Sequence, residues 1–294
     1  MRVFCLVVVA AAALAGCAHA PASREACATA ATAATDALVR APFEIVDGRV
    51  YVQVRVDGGG PYRFAVDTGA SGMGRADASL AAALRLPVSG VTQSSDGITT
   101  ANVNSVHLDE VALGDLRRKN LDVIMRDYSS SVAPQAAISG ILGRDFFGDG
   151  LLVLDFPSHT LVFSRTRQLT PGDRGAHSYE RPFRVAATLG DVAVTANLDT
   201  GAAVTLVLPQ TIYAQIEASP LEAAGRARLT NGVVDTSRTI VHGPVRIGGA
   251  SVSDVEARVS DRYPEVLIGG QILQNYLVAI DQRSKVVAVC PSSR

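Results

Sequence analysis

Tryptophan is absent from the 294 residues, and aromatic residues make up only 5%. A core must therefore come from Val, Leu, Ile and Ala. Hydrophobic residues reach 48% against 19% charged, which suffices for a sizeable core and excludes a disordered chain. Excess positive charge is also lacking. The formal net charge is −1, so no overall basic field exists to hold nucleic acid. The one local cluster, Arg117-Arg118-Lys119, reads as a solvated turn. The five histidines are scattered, two of them (His19 and His177) in apparent linkers, and no His or Cys spacing suits a metal, so no metal or organic cofactor is expected.

The only long apolar run, Val3–Ala15, is too short for a permanent membrane span and suits a signal peptide. It ends in Leu14-Ala15-Gly16-Cys17, which resembles a bacterial lipobox. That resemblance implies cleavage after residue 16 and a lipid on Cys17, with membrane attachment through the lipid. Ala18 follows, which by the same resemblance implies an envelope location, at the outer membrane facing the periplasm if the cell has one. Residues 17–41 are rich in Ala and Thr and read as the lipidated Cys plus a tether, partly helical around Ala28–Leu38. Of four cysteines, Cys5 leaves with residues 1–16. Cys27 and Cys290 remain, near the two ends of the mature chain. An oxidising compartment and close termini allow a disulfide between them, and two free thiols are equally open.

From Phe43 onward the chain consists of short alternating apolar runs broken by Gly, Asp and Asn, an all-β texture. It also repeats itself. Tyr51–Val56, the turn Asp57-Gly58-Gly59-Gly60 and Tyr62–Asp67 form one expected hairpin. Phe183–Leu189, Gly190-Asp191 and Val192–Asp199 form another. The first runs into Asp67-Thr68-Gly69-Ala70, the second into Asp199-Thr200-Gly201-Ala202. Each is followed by an apolar-apolar-Gly segment, Ile141-Leu142-Gly143 and Leu267-Ile268-Gly269. The Asp-to-Gly separations are 76 residues (67 to 143) and 70 residues (199 to 269). Two further apolar strands follow each copy: 151–156 and 161–163, then 276–281 and 286–289. One Asp-Thr-Gly alone carries little weight, but two with matched flanks mark a duplicated β-rich unit. The polar stretch 166–177 reads as the linker between copy one (42–165) and copy two (178–291).

These residues resemble the aspartic peptidases of the pepsin and retropepsin clan over roughly Phe43 to Val289, with flanks more similar to bacterial retropepsin-like proteins than to pepsin. The resemblance implies an all-β, bilobal fold of two β-barrel-like lobes around a cleft, with Asp67 and Asp199 as one catalytic pair. It implies that Thr68 and Thr200 bond across to the opposite loop. Ile141-Leu142-Gly143 and Leu267-Ile268-Gly269 then support the catalytic loops. Flaps are expected between the motifs: Ser94–Asn104, with Gly97 and Ile98 at its tip, and Asn231–Thr239, including Gly232. The implied activity is endopeptidase hydrolysis of a peptide or protein by a single chain, through water activated by two carboxyls that share a proton. That proton-sharing rule has the aspartic-protease pair as its standard illustration. Ala70 and Ala202 stand where pepsins carry Ser or Thr. With no hydroxyl to stabilise the carboxylates, the expected working range lies nearer mild acid or neutral than that of pepsin. Arg144-Asp145 has no counterpart in Gly270-Gln271, and Arg144 reads as a structural ion pair. Asp155 and Asp281, which end matched strands, read as turn or surface residues. Gly58-Gly59-Gly60 is a turn and not a phosphate loop, and no Ser occupies a nucleophile elbow. Two competing readings keep the scaffold: an inactive envelope lipoprotein that binds a peptide or partner, or lobes that pair only within a dimer.

Overall fold

The computed structural model describes residues 24–130 and 132–291. The lipobox, Cys17 and the signal segment lie outside those residues. The rest is all-β, in three sheets. Both expected hairpins form: Arg49–Val56 with Gly59–Asp67, and Arg184–Leu189 with Val192–Asp199. Alternation explains the first, since Val50, Val52, Val54 and Val56 are buried while Gln53 and Arg55 face solvent.

In each lobe the strand leading to the Asp pairs in parallel with the apolar-apolar-Gly strand. The register sets Asp67 opposite Gly143 and Asp199 opposite Gly269. The duplicated sequence thus becomes a duplicated local structure. Lobe one is an eight-stranded sheet and lobe two a nine-stranded sheet.

A third sheet of six strands joins the lobes. Its centre is Leu151–Asp155 from copy one, paired antiparallel with Tyr276–Asp281 from copy two. Both faces are buried, which is why these strands read as continuous apolar runs. Leu152, Leu154, Val278 and Ile280 face the main core. Leu151, Val153, Ala279 and Ala288 face the other way, against Ala26, Ala30 and Ala33.

That second layer corrects the tether. From Glu25 the segment is folded: a helix Ala26–Ala31, a 3-10 helix Ala33–Asp36 and a strand Val39–Pro42 on the edge of the joining sheet. Its alanines are small enough to lie flat on the sheet, and Cys27 is bonded to Cys290 (S–S 2.08 Å). The linker is docked as well, with Leu169 fully buried and Arg174 backbone-bonded to Arg24 and Ala26.

Two other expectations are corrected. Asp281 is fully buried, not on the surface. It accepts hydrogen bonds from Arg283 Nε (2.9 Å) and from Leu169 N–H (3.2 Å), because its strand lies inside the joining sheet. Arg117-Arg118-Lys119 belongs to the strand Leu116–Arg126, and Arg118 is held by Asp149 and the Phe146 carbonyl. Asp155 does cap a turn, accepting from Ser158 N–H. Among the described residues, no helix is long and apolar enough to cross a membrane.

Candidate active site

The two Asp-Thr-Gly loops meet head to head. Thr68 N–H donates to Thr200 Oγ1 (3.2 Å), and Thr200 N–H donates to Thr68 Oγ1 (3.0 Å). Each hydroxyl in turn donates to the carbonyl preceding the opposite aspartate. Thr68 Oγ1 bonds Leu198 O at 3.2 Å and Thr200 Oγ1 bonds Val66 O at 2.9 Å. Both threonines are almost wholly buried, so four bonds with no competing water hold the loops in register.

This crossing brings each carboxyl against the other lobe's glycine. A Cβ on Gly69 would collide with the Asp199 carboxyl, and one on Gly201 with that of Asp67. Only glycine lets the loops approach so closely. Asp67 Oδ1 accepts from Ala70 N–H (2.9 Å), and Asp199 Oδ1 from Gly201 N–H (2.8 Å). The Asp67 and Asp199 carboxyls are thus neighbours across the lobes. Burial pushes Asp199 up from the ordinary 3.8 to about 7. The neighbouring Asp67 charge adds to this, while the Gly201 N–H and Arg49 oppose it.

The apolar-apolar-Gly strands hold these loops from beneath. Gly143 N–H donates to Met73 O and Gly269 N–H to Thr205 O, both at 3.0 Å. The next residue supports the alanine of each motif: Arg144 N–H bonds Ala70 O, and Gly270 N–H bonds Ala202 O. Leu142 and Ile268 are buried below, with Ile141 packed beside Ala70. Ala70 and Ala202 bring no hydroxyl to either carboxylate. Arg144 makes only a long ion pair with Asp145 (3.7 Å), and its carbonyl accepts from Gln282 of lobe two (2.6 Å).

Two family models match the chain: aspartyl protease over residues 52–146, and gag-polyprotein putative aspartyl protease over residues 185–275. The chain carries two aspartyl-protease domains in tandem. Each match contains one Asp-Thr-Gly motif and the glycine strand that supports it. No curated protein matches the chain.

Between the motifs, each aspartyl-protease domain projects a hairpin. In lobe one the arms are Val88–Ser95 and Thr100–Leu113, with Gly97 and Ile98 in the tip. In lobe two they are Glu222–Arg228 and Val233–Val241, with Gly232 in the tip, so the second arm is longer than the stretch 231–239 suggests. The tips are bonded to each other through Asn231. Its side-chain amide donates to Ser94 O and Thr99 O, each at 2.7 Å, and its N–H donates to Asp96 Oδ2. Arg126 adds bonds to Asn231 Oδ1 and Thr230 O. Asp96 also accepts from Ile98 and Thr99 N–H, so one carboxylate shapes its own tip and catches the other.

Several residues around the site were not singled out from the sequence: Arg49, Tyr128, Arg126, Asp96 and, as a clasp, Asn231. Tyr128 packs beside Ala70 and Ile138, and its backbone N–H is held by the buried Asp77 carboxylate (2.8 Å). Asn231-Gly232 is a turn dipeptide, the one advance signal for the second tip. Tyr128 follows the strand Leu116–Arg126, and the chain enters the strand Gly140–Gly143 pinned by the Ser139 N–H to Arg63 O (2.7 Å). The corresponding lobe-two loop is only 261–265. A groove of about 690 Å³ opens beside it, lined by Val194, Thr195, Ile212, Tyr263 and Glu265.

A serine, histidine and aspartate also line up on lobe two. Ser219 Oγ is 2.9 Å from His242 Nε2, and His242 Nδ1 is 3.0 Å from Asp254 Oδ1. Both His242 and Asp254 are exposed. The Ser219 N–H is used on Ile240 O, and Pro220 has none. Neither backbone position offers an N–H to an oxyanion, and the chain of bonds joins Ser219, His242 and Asp254 across lobe two.

Proposed function

We propose that the protein is an aspartic endopeptidase whose single active site is the Asp67–Asp199 pair. The observation that carries this reading is the reciprocal Thr68–Thr200 bonding, which sets two carboxyls face to face across the lobes. Two such carboxyls cannot both ionise comfortably, so the pair holds one proton at working pH. The ionised member takes a proton from a water, whose oxygen attacks the scissile carbonyl carbon. The protonated member gives its proton to the carbonyl oxygen. Collapse of the tetrahedral diol then returns a proton to the departing amine nitrogen and breaks the C–N bond. No covalent enzyme intermediate forms.

Substrate is an extended peptide, held by strand-like backbone bonds between the hairpins and the catalytic loops. The absence of hydroxyls at Ala70 and Ala202, together with the raised Asp199, supports a working range from mild acid to neutral. The lipobox at 14–17 supports export and attachment through lipid on Cys17, and one chain supplying both aspartates supports activity as a monomer.

The test is cleavage of a diverse peptide mixture by the fragment from Ala18, across pH 3 to 8, beside Asp67→Asn and Asp199→Asn. Cutting by the parent, with both variants dead, supports one shared dyad. A folded parent that cuts nothing at any pH defeats the reading and leaves peptide binding in the cleft as the function.

A further inference from the structure

The two catalytic loops share a backbone, but different groups reach them from the opposite lobe. The turn Asp47-Gly48, between strands Glu44–Val46 and Arg49–Val56, leans onto lobe two. A Cβ on Gly48 would collide with Gln271, and one on Gly270 with the Gly48 carbonyl. From this docked turn Arg49, partly buried, extends across the lobes and donates its Nε–H to the carbonyl oxygen of Gly201 at 2.7 Å.

Register identifies the matching position in lobe two. Val50 pairs with Val66, the residue before Asp67. Leu198, the residue before Asp199, donates its N–H to the carbonyl of Phe183. Val50 therefore corresponds to Phe183, and Arg49 to Pro182. A proline side chain carries no charge and no donor, so lobe two cannot return the bond to the Gly69 carbonyl from that position.

We propose that Arg49 is a positioning residue: from lobe one it fixes the loop that carries Asp199, and it places beside the dyad a permanent positive charge that lobe two does not match from the corresponding position. The role in catalysis rests on the peptidase reading above; the placement of charge does not. Charged and titratable groups of lobe one also lie around the pair, and in lobe two Arg184 and Glu265 pair at Asn197, two residues before Asp199. Arg75 bonds the carbonyls of Ser71 and Gly74, Arg144 pairs with Asp145, and Tyr128 lies among Arg75, Arg126, Asp67 and Asp77. The groups facing Asp199 are Asp67 and Arg49. A nearby cation favours ionised carboxyls, so Arg49 draws the titration of the pair to lower pH than a neutral residue would allow.

The experiment is carboxyl-carbon NMR titration of the full chain in detergent, with ¹³C-labelled aspartate, on the parent, Arg49→Gln, Arg49→Lys and Arg49→Met. Asp67→Asn and Asp199→Asn assign the signals. Gln keeps a donor without charge, Lys keeps charge, and Met keeps neither. The expected result is that Gln and Met each raise the apparent titration steps of the pair by about half a pH unit or more, while Lys stays near the parent. The limbs of the kcat/KM pH profile move in the same direction. Met loses more kcat than Gln, because the loop loses its anchor as well. Parent-like titration in both Gln and Met overturns the proposal, even if their melting temperatures fall. Should Met not fold, Gln against Lys decides. A parent that cuts no peptide, with titration shifted in Gln, would end the peptidase reading and leave the positioning role standing.

Discussion

The backbone N–H of Asn231 lies 2.7 Å from the carboxylate of Asp96, which belongs to the other lobe. With the two amide bonds to Ser94 and Thr99, Asn231 joins the hairpin tips over residues far apart in sequence. Asn231→Ala removes the side-chain bonds and leaves the fold. Backbone amide exchange at 94–101 and 229–233 should quicken by about tenfold or more, with protection elsewhere unchanged. Asp96→Asn, which keeps an acceptor, should do less than Asp96→Ala. Unchanged exchange at both tips in Asn231→Ala would show that the clasp does not hold them.

Thr200→Val deletes an acceptor for Thr68 N–H and a donor to Val66 O, both buried. The loss should cost about 1–3 kcal/mol in urea unfolding, and peptide cleavage should drop at least tenfold. Thr200→Ser, which restores the hydroxyl, should recover most of both. Thr68→Val should behave the same way, since its bonds mirror those of Thr200.

Asp199 makes stability depend on pH in a direction opposite to that of a salt-bridged carboxylate. Its folded value is raised, so the folded state binds more protons than the unfolded state between 3.8 and about 7. Its favourable contribution is complete below that window and fades as pH rises through it. Asp199→Asn should therefore stabilise the protein at pH 8, on the order of 1–2 kcal/mol, and much less at pH 4. Thermal melts of parent and variant across pH 4 to 8 measure this, and equal differences at both ends would contradict it.

Cys27→Ser should lower stability by about 2–4 kcal/mol, because the Cys27–Cys290 bond closes a loop spanning 263 positions. The segment 24–38 should become protease-sensitive. Peptide cleavage at 25 °C should stay within about twofold, since this bond anchors the joining sheet and touches neither Asp-Thr-Gly loop. Melting with and without reductant provides the same comparison in the parent.

The sequence exposes what depends on residue identity at short range. Asp-Thr-Gly twice, with an apolar-apolar-Gly strand after each, marks the two loops that bond across the lobes and the strands beneath them. Alternation with Gly-rich turns located both hairpins. Contacts between distant residues left no such trace. Arg49 meets Gly201 across 152 positions, and only the folded lobes reveal it. Asp281 does end its strand, but nothing nearby signals that the strand lies inside a sheet shared by both lobes, which buries the side chain. The alanines of 26–33 carry no strong pattern, so a folded cover over that sheet read as a tether. Two cysteines near the chain ends left pairing undecided, and their bond is visible only once the helix lies against the last strand.

The joining sheet binds Leu151–Asp155 to Tyr276–Asp281 through five residue pairs, and both aspartates belong to the polypeptide it joins. Dilution is therefore expected to leave activity per chain unchanged, with no dissociation constant between halves to set how much of the site exists. A substitution is made once in such a chain and not in both lobes together, so the two halves of the site are free to differ, as Arg49 and Pro182 do.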